Sequence, residues 1–257
     1  MKEKIDYGIL TAVPKEITEY LHACQDVKTE CIGIVEYTIG TLCGKRVAMI
    51  STGIGTTCAA AVMAHLVTHF HPKAVFFTGT AAGIADNLQQ GDIVVGTQAY
   101  EVELYDLIEG CKGTPYNKDN YLIHSFKKEI QPNIYPGDAD LLKLANSLSN
   151  QFQENALHNG VPSVAKLHMG LLATINHFPL KSELYFPLKN KGTVAVSMEG
   201  SAIYQTSWLL DTPSLIVRGI SNIYTEDGRN SNTKTSEIAL ASGNAAKFVM
   251  NILSALK

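Results

Sequence analysis

Apolar runs of strand length alternate along the chain with stretches whose apolar residues recur at helical intervals. Residues 5–13 form an apolar run stopped by Pro14, and residues 15–23 carry apolar positions at helical spacing, which predicts a strand leading into a helix. Residues 35–40 and 45–51, separated by the Cys43-Gly44 turn, read as a hairpin. The following GIGTTCAAAVMAHLVTHF opens on glycine and threonine and continues as a long Ala-rich apolar stretch, which predicts an interior helix. Further strands are expected at 74–78, 93–103, 167–174, 194–197 and 214–220, and helices at 138–150, 200–209 and 236–256, the first with Asp138 near its N-terminus. Residues 105–137 are polar, rich in Asn, Lys, Tyr and Pro, and without a sustained period, as expected of a long surface excursion that serves as a lid or subunit contact. Strand and helix in alternation predict an α/β fold with a mostly parallel sheet covered on both faces, built as one domain over 1–257.

Composition narrows the class. Of the 257 residues, 46% are hydrophobic and 18% charged, which suits a large buried core rather than a disordered chain. A net charge of -3 argues against a nucleic-acid partner, because neutralising phosphates requires clustered Lys and Arg. The short basic groups Lys127-Lys128 and 189–191 read as solvated faces. The N-terminus lacks the pattern of a signal peptide, and no apolar segment reaches the ~18 residues of a membrane span, so a soluble cytoplasmic protein is expected. Five cysteines without a Cys-x-x-Cys pair fit reduced thiols and give no zinc framework. His65 and His69 have the spacing of a helical metal pair, with His71 just beyond, but no carboxylate or thiolate lies near as a third ligand and no metal is expected.

Chemistry concentrates at strand ends. KAVFFTGTAAGIADNLQQGDIVVG, residues 73–96, is an apolar run, an expected turn of Gly79, Thr80, Ala81, Ala82 and Gly83, and a second apolar run. Small residues there let backbone N–H groups and a hydroxyl approach a ligand closely. Glu199 follows the strand-like run in TVAVSMEGSAIY, and Arg218 and Asn222 cluster in PSLIVRGISN. An arginine on an interior strand is costly unless paired, so a carboxylate or ligand partner is expected, with Glu16 the candidate.

In this order ILTAVPKE, STGIG, FTGTAAGI followed by GDIVV, LLATIN, VSMEGSA and VRGISN resemble the nucleoside phosphorylase superfamily, and within it the methylthioadenosine/S-adenosylhomocysteine nucleosidases, over nearly the whole chain. The resemblance implies a three-layer α/β/α sandwich around a mixed, barrel-like sheet, commonly assembled as a homodimer. It also implies cleavage of the N-glycosidic bond of a small-molecule purine nucleoside. Such cleavage develops positive charge on the sugar and negative charge on the base, so a cation must be stabilised, a nucleophile held and the base neutralised.

By resemblance, Glu199 holds the ribose hydroxyls, Glu16 positions the attacking water, Thr80 is a hydroxyl near the nucleophile and Arg218 lies beside it. On their sequence positions alone, Glu16 and Glu199 also fit carboxylates favoured by a helix dipole. Phe178 matches the aromatic that stacks on the purine, and Pro179 the position whose main chain reads the purine edge. Val13, Ala81, Ala82, Met198 and Ser221 complete the substrate pocket, although apolar packing alone also accounts for Phe178 and its apolar neighbours. The mechanism calls for no cofactor.

Two departures stand out. Pro179 has a carbonyl but no N–H, which removes a donor to adenine N1. Asn222 stands where these nucleosidases place the aspartate that protonates purine N7, and an amide cannot transfer that proton. Three readings follow: a hydrolase acting on a methylthioadenosine-type or 6-oxopurine nucleoside, a phosphate-dependent phosphorylase, or a nucleoside sensor with weak turnover. The chain has only Arg46, Arg218 and Arg229 to offer an anion, which counts against the phosphorylase.

Overall fold

The computed structural model describes residues 3–104, 133–225 and 235–256. Its strands are β1 (Tyr7–Thr11), β2 (Gln25–Ile32), β3 (Val35–Leu42), β4 (Lys45–Ser51), β5 (Ala74–Gly83), β6 (Ile93–Glu101), β7 (Tyr135–Pro136), β8 (Asn155–His158), β9 (Val161–Val164), β10 (Leu167–Thr174), β11 (Thr193–Ser197) and β12 (Ser214–Ile223). Its helices are α1 (Thr18–Ala23), α2 (Thr56–Phe70), α3 (Ala139–Ser147), α4 (Tyr185–Asn190), α5 (Gly200–Leu210) and α6 (Thr235–Ala255).

The main sheet runs β11-β10-β6-β12-β5-β1-β4-β3-β2, with β7 paired to β6. It closes on itself because the far end of β5 also pairs with β11, Ala82 opposite Val196 and Gly83 opposite Ala195. The sheet is mixed: β5 lies parallel to β1 and β12, whereas β12 and β6 are antiparallel. Strand alternation divides the core between two faces. Val75 and Phe77 of β5, with Val94 and Ile216, pack towards Met63 and Leu66 of α2 and Ile203 of α5. Phe76 of β5, with Ile93, Leu215 and Val217, packs towards Leu141 of α3 and Phe248 and Ile252 of α6. A third apolar group, including Tyr100, Ile175, Val196 and Leu188 of α4, covers the end near Tyr224. The α/β architecture and the closed mixed sheet agree with what the resemblance implies, whereas the mostly parallel sheet expected from the alternation of strand and helix is corrected: β2, β3 and β4 pair antiparallel, as do β12 and β6.

Several expectations are corrected. The residues 79–83, expected as a turn, continue β5: Gly79 pairs with Arg218, Thr80 with Gly219 and Gly83 with Ile223. Their small side chains let the strand run on across the barrel and close it against β11. The helix expected at 15–23 is a 3₁₀ turn, Pro14–Ile17, before α1. Strand β2 escaped detection because its residues are largely exposed and polar. The β8–β9 hairpin turns on Asn159-Gly160, both at positive φ, a local signal for the tight turn that joins them. Within α6, Glu237–Ala255 has the length and mean hydropathy of a span, contrary to the sequence reading, but Ala241, Ala245, Phe248, Val249 and Ile252 are buried in the core. The segment 105–132 lies outside the described residues.

Asp138 accepts from the backbone N–H groups of Asp140 and Leu141 and caps α3, as its position predicts. His65, half of the helical histidine pair, has Nδ1 2.6 Å from the Tyr37 hydroxyl, and its ring stacks on that of His69.

Candidate active site

Pro14 stops β1 and opens the 3₁₀ turn, and its fixed φ suits the first position of such a turn. Two residues later, the Glu16 side chain reaches back over the strand end. Its Oε2 accepts from the backbone N–H groups of Ala12 and Val13 at 3.0 and 3.2 Å. Oε1 accepts from the Thr80 N–H at 2.8 Å and the Thr80 hydroxyl at 3.1 Å. Four donors thus fix a carboxylate that is 4% exposed. Gly79 is what admits it: a Cβ there would stand 2.5 Å from Glu16 Oε1. Four residues on, Tyr20 is fully buried, and burial holds its phenol far above the ordinary tyrosine range.

Glu199 sits between β11 and α5 as the N-cap residue, yet its side chain does not cap that helix. Oε1 accepts from the Gly55 N–H at 3.3 Å, at the start of α2, and Oε2 accepts from Arg218 Nη2 at 3.0 Å. Arg218 is wholly buried; Nη1 donates to the Thr78 carbonyl at 3.4 Å, and the guanidinium lies 4.1 Å from the Phe77 ring centroid. The expected carboxylate partner exists, but it is Glu199 and not Glu16. The oxygens of Glu16 are already engaged by Ala12, Val13 and Thr80, whereas Glu199 lies open to β12.

These groups meet at one cavity of about 260 Å³. Its lining contains Glu16, Glu199, Asn222, Val13, Thr80, Ala81, Ala82, Phe178, Met198 and Ser221, all anticipated from the sequence. Arg218 stands behind the wall, where it bonds to Glu199; Pro179 does not line the cavity either. Residues that sequence reasoning missed are Ala12, Ile54, Ile175, Val196, Ser197, Tyr224 and Ile238. Ala12, Ile54, Ile175, Val196 and Ser197 lie inside the quoted motifs, whereas Tyr224 and Ile238 lie outside them and join only through tertiary packing.

The two ends of the cavity differ in polarity. Around Glu16, Thr80 and Glu199 it is charged and densely hydrogen-bonded. Around Asn222 it is neutral: the Ser221 hydroxyl donates to Asn222 Oδ1 at 2.7 Å, and Ala81, Ala82, Met198 and Ile175 supply apolar surface. The Ser221 carbonyl accepts from Gln90 Nε2, which also donates to Glu237 on α6, so the strand end carrying Asn222 is pinned from outside the cavity. Phe178 is 68% exposed and Ile54 58%, and both stand at the mouth.

The sequence profile of the phosphorylase superfamily matches residues 6–256. A 5′-methylthioadenosine/S-adenosylhomocysteine nucleosidase of Shewanella sp. is 30% identical, covering 97% of this chain and 99% of its own. The crystal structure of such a nucleosidase from Colwellia psychrerythraea in complex with adenine superposes with a TM-score of 0.76 at 25% identity, over 99% of this chain and 97% of that one. A Helicobacter pylori nucleosidase, an aspartate-to-asparagine mutant with 5′-methylthioadenosine in its active site, shares the fold with a TM-score of 0.74 at 19% identity, over 99% and 100% of the two chains. The chain is therefore a member of the phosphorylase superfamily, grouping there with the 5′-methylthioadenosine/S-adenosylhomocysteine nucleosidases.

Proposed function

We propose that the cavity hydrolyses the N-glycosidic bond of a purine nucleoside, with 5′-methylthioadenosine or S-adenosylhomocysteine the leading substrate. The observation that carries the reading is the convergence of Glu16 and Glu199, from opposite ends of the chain, on one sugar-sized hollow bordered by Thr80. Water enters at Glu16 by exchanging with the Thr80 hydroxyl, whose rotation frees a lone pair on Oε1. Glu16 then orients that water and accepts its proton. Glu199 holds the ribose hydroxyls, and its negative charge gains strength against the sugar as the bond breaks. Arg218 pairs with Glu199 and keeps it aimed. Phe178 covers the base, while Asn222 offers it an amide N–H.

Phosphorolysis needs a cationic seat for phosphate. Arg218 is spent on Glu199, and Arg46 on Glu3, the Asp26 carbonyl and Thr41; Arg229 lies outside the described residues. Water is the nucleophile this site favours. A sensing role with slow turnover has one specific observation in its support: Asn222 lines the cavity where a proton donor would act. The Helicobacter pylori mutant that holds 5′-methylthioadenosine carries the same type of replacement.

A panel of nucleosides incubated with and without phosphate separates these readings. Release of free base without phosphate supports hydrolysis. Strict phosphate dependence with ribose-1-phosphate formed selects the phosphorylase, and tight binding with no product in either buffer selects the sensor. The family likeness further supports a cytoplasmic homodimer in methionine salvage, in which a second copy shelters the exposed Ile54 and Phe178 at the mouth. Sedimentation at monomer mass overturns the dimer.

A further inference from the structure

Beside Asn222 the cavity wall carries a donor with no task in this scheme. Tyr224, two residues further along the chain, lines the cavity and is 3% exposed. Its oxygen accepts the Leu180 N–H at 2.8 Å, which engages the acceptor side of the hydroxyl. No described residue takes the hydroxyl proton in return. Burial moves the phenol above its ordinary range, so the proton stays in place at neutral pH. A buried O–H without an acceptor is uncommon in folded proteins and points to a partner supplied by a ligand.

The location gives that partner a chemistry. Leu180 directly follows Pro179, whose ring removes the N–H that would meet a purine edge, and it lies two residues beyond Phe178 at the cavity mouth. Tyr224 therefore connects the strand end carrying Asn222 to the segment carrying Phe178. Held by Leu180, its hydroxyl keeps its own proton free to donate.

We propose that Tyr224 is a specificity residue for the base: its hydroxyl donates to the unprotonated N1 of a 6-aminopurine, the task for which Pro179 lacks an N–H. A 6-oxopurine carries a proton at N1 and so offers this O–H no acceptor there. The assignment rests on the purine-nucleoside reading and refines it towards adenine-type bases.

Calorimetric binding of adenine, 1-deazaadenine and hypoxanthine to the wild-type protein and to Tyr224→Phe tests it without relying on turnover. Wild type should bind adenine about tenfold more tightly than 1-deazaadenine, which has no N1 acceptor, and Tyr224→Phe should bind the two alike. The wild-type comparison needs no variant, so a folding defect in Tyr224→Phe leaves the test intact. Equal wild-type affinity for adenine and 1-deazaadenine, or undiminished preference in Tyr224→Phe, overturns the assignment of Tyr224 alone. Failure of wild type to bind any of the three purines removes the nucleoside reading together with it.

Discussion

The sugar end and the base end of the cavity solve opposite problems. At the sugar end, Glu16 and Glu199 are ionisable groups held by backbone donors, with Arg218 as a buried counter-charge. Their orientation is set by the folded chain before any ligand arrives, which is how fixed dipoles stabilise a developing cation at little reorganisation cost. At the base end, Asn222, Ser221 and Tyr224 are neutral and sit among apolar walls. Such groups select a base by matching donors and acceptors, but Asn222 cannot hand it a proton. On the proposed reading, the difference teaches that stabilisation of the ribose cation is built into this chain more strongly than assistance to the leaving group.

The largest effect is expected at the sugar end. Glu16→Gln should lower kcat by about 10²- to 10⁴-fold in a base-release assay, because the amide cannot accept the proton of water and turns an N–H towards existing donors. A variant keeping half the wild-type rate would mean that another group handles the water. Glu199→Gln should cost about 10²- to 10³-fold in kcat/KM, and it leaves the Arg218 charge buried without its partner. Urea unfolding should register that second consequence as a loss of about 3 kcal/mol; unchanged stability would show that Arg218 finds its counter-charge elsewhere.

At the base end the changes are smaller and one has the opposite sign. Asn222→Asp should raise turnover of an adenine nucleoside by up to about 10²-fold, since it restores a proton donor in a seat already bonded to Ser221. Absence of any gain would reject the view that the missing proton limits the rate. Phe178→Ala should raise KM about tenfold with little change in kcat, as expected for lost stacking on a base at the cavity mouth. A fall confined to kcat would instead give Phe178 a part in the chemical step.

Much of this site is legible in the sequence for a definite reason. Its functional groups lie in the last half of a strand or within five residues after one, where a run of apolar residues meets small or polar ones: Val13 to Glu16 after β1, Gly79 to Ala82 in β5, Met198 and Glu199 after β11, Ser221 and Asn222 in β12. The misreadings share a cause as well. The segment 79–83 has turn-like composition yet forms strand, because pairing with β11 and β12 outweighs local preference. Arg218 was expected to pair with a carboxylate and does, but with the other glutamate, since strand register and the prior commitments of Glu16 decide which one is free to reach it.

Apolar periodicity alone determined that strands and helices alternate and that two faces of a sheet must be covered. Motif order added the family and most of the cavity lining. Closure of the sheet through the crossing of β5 onto β11, the choice of Glu199 for Arg218, and the arrival of Tyr224 and Ile238 at the cavity were decided only by tertiary structure. Each of these depends on contacts between residues far apart in the chain. A linear pattern specifies which face a side chain takes, but not which distant group waits opposite it.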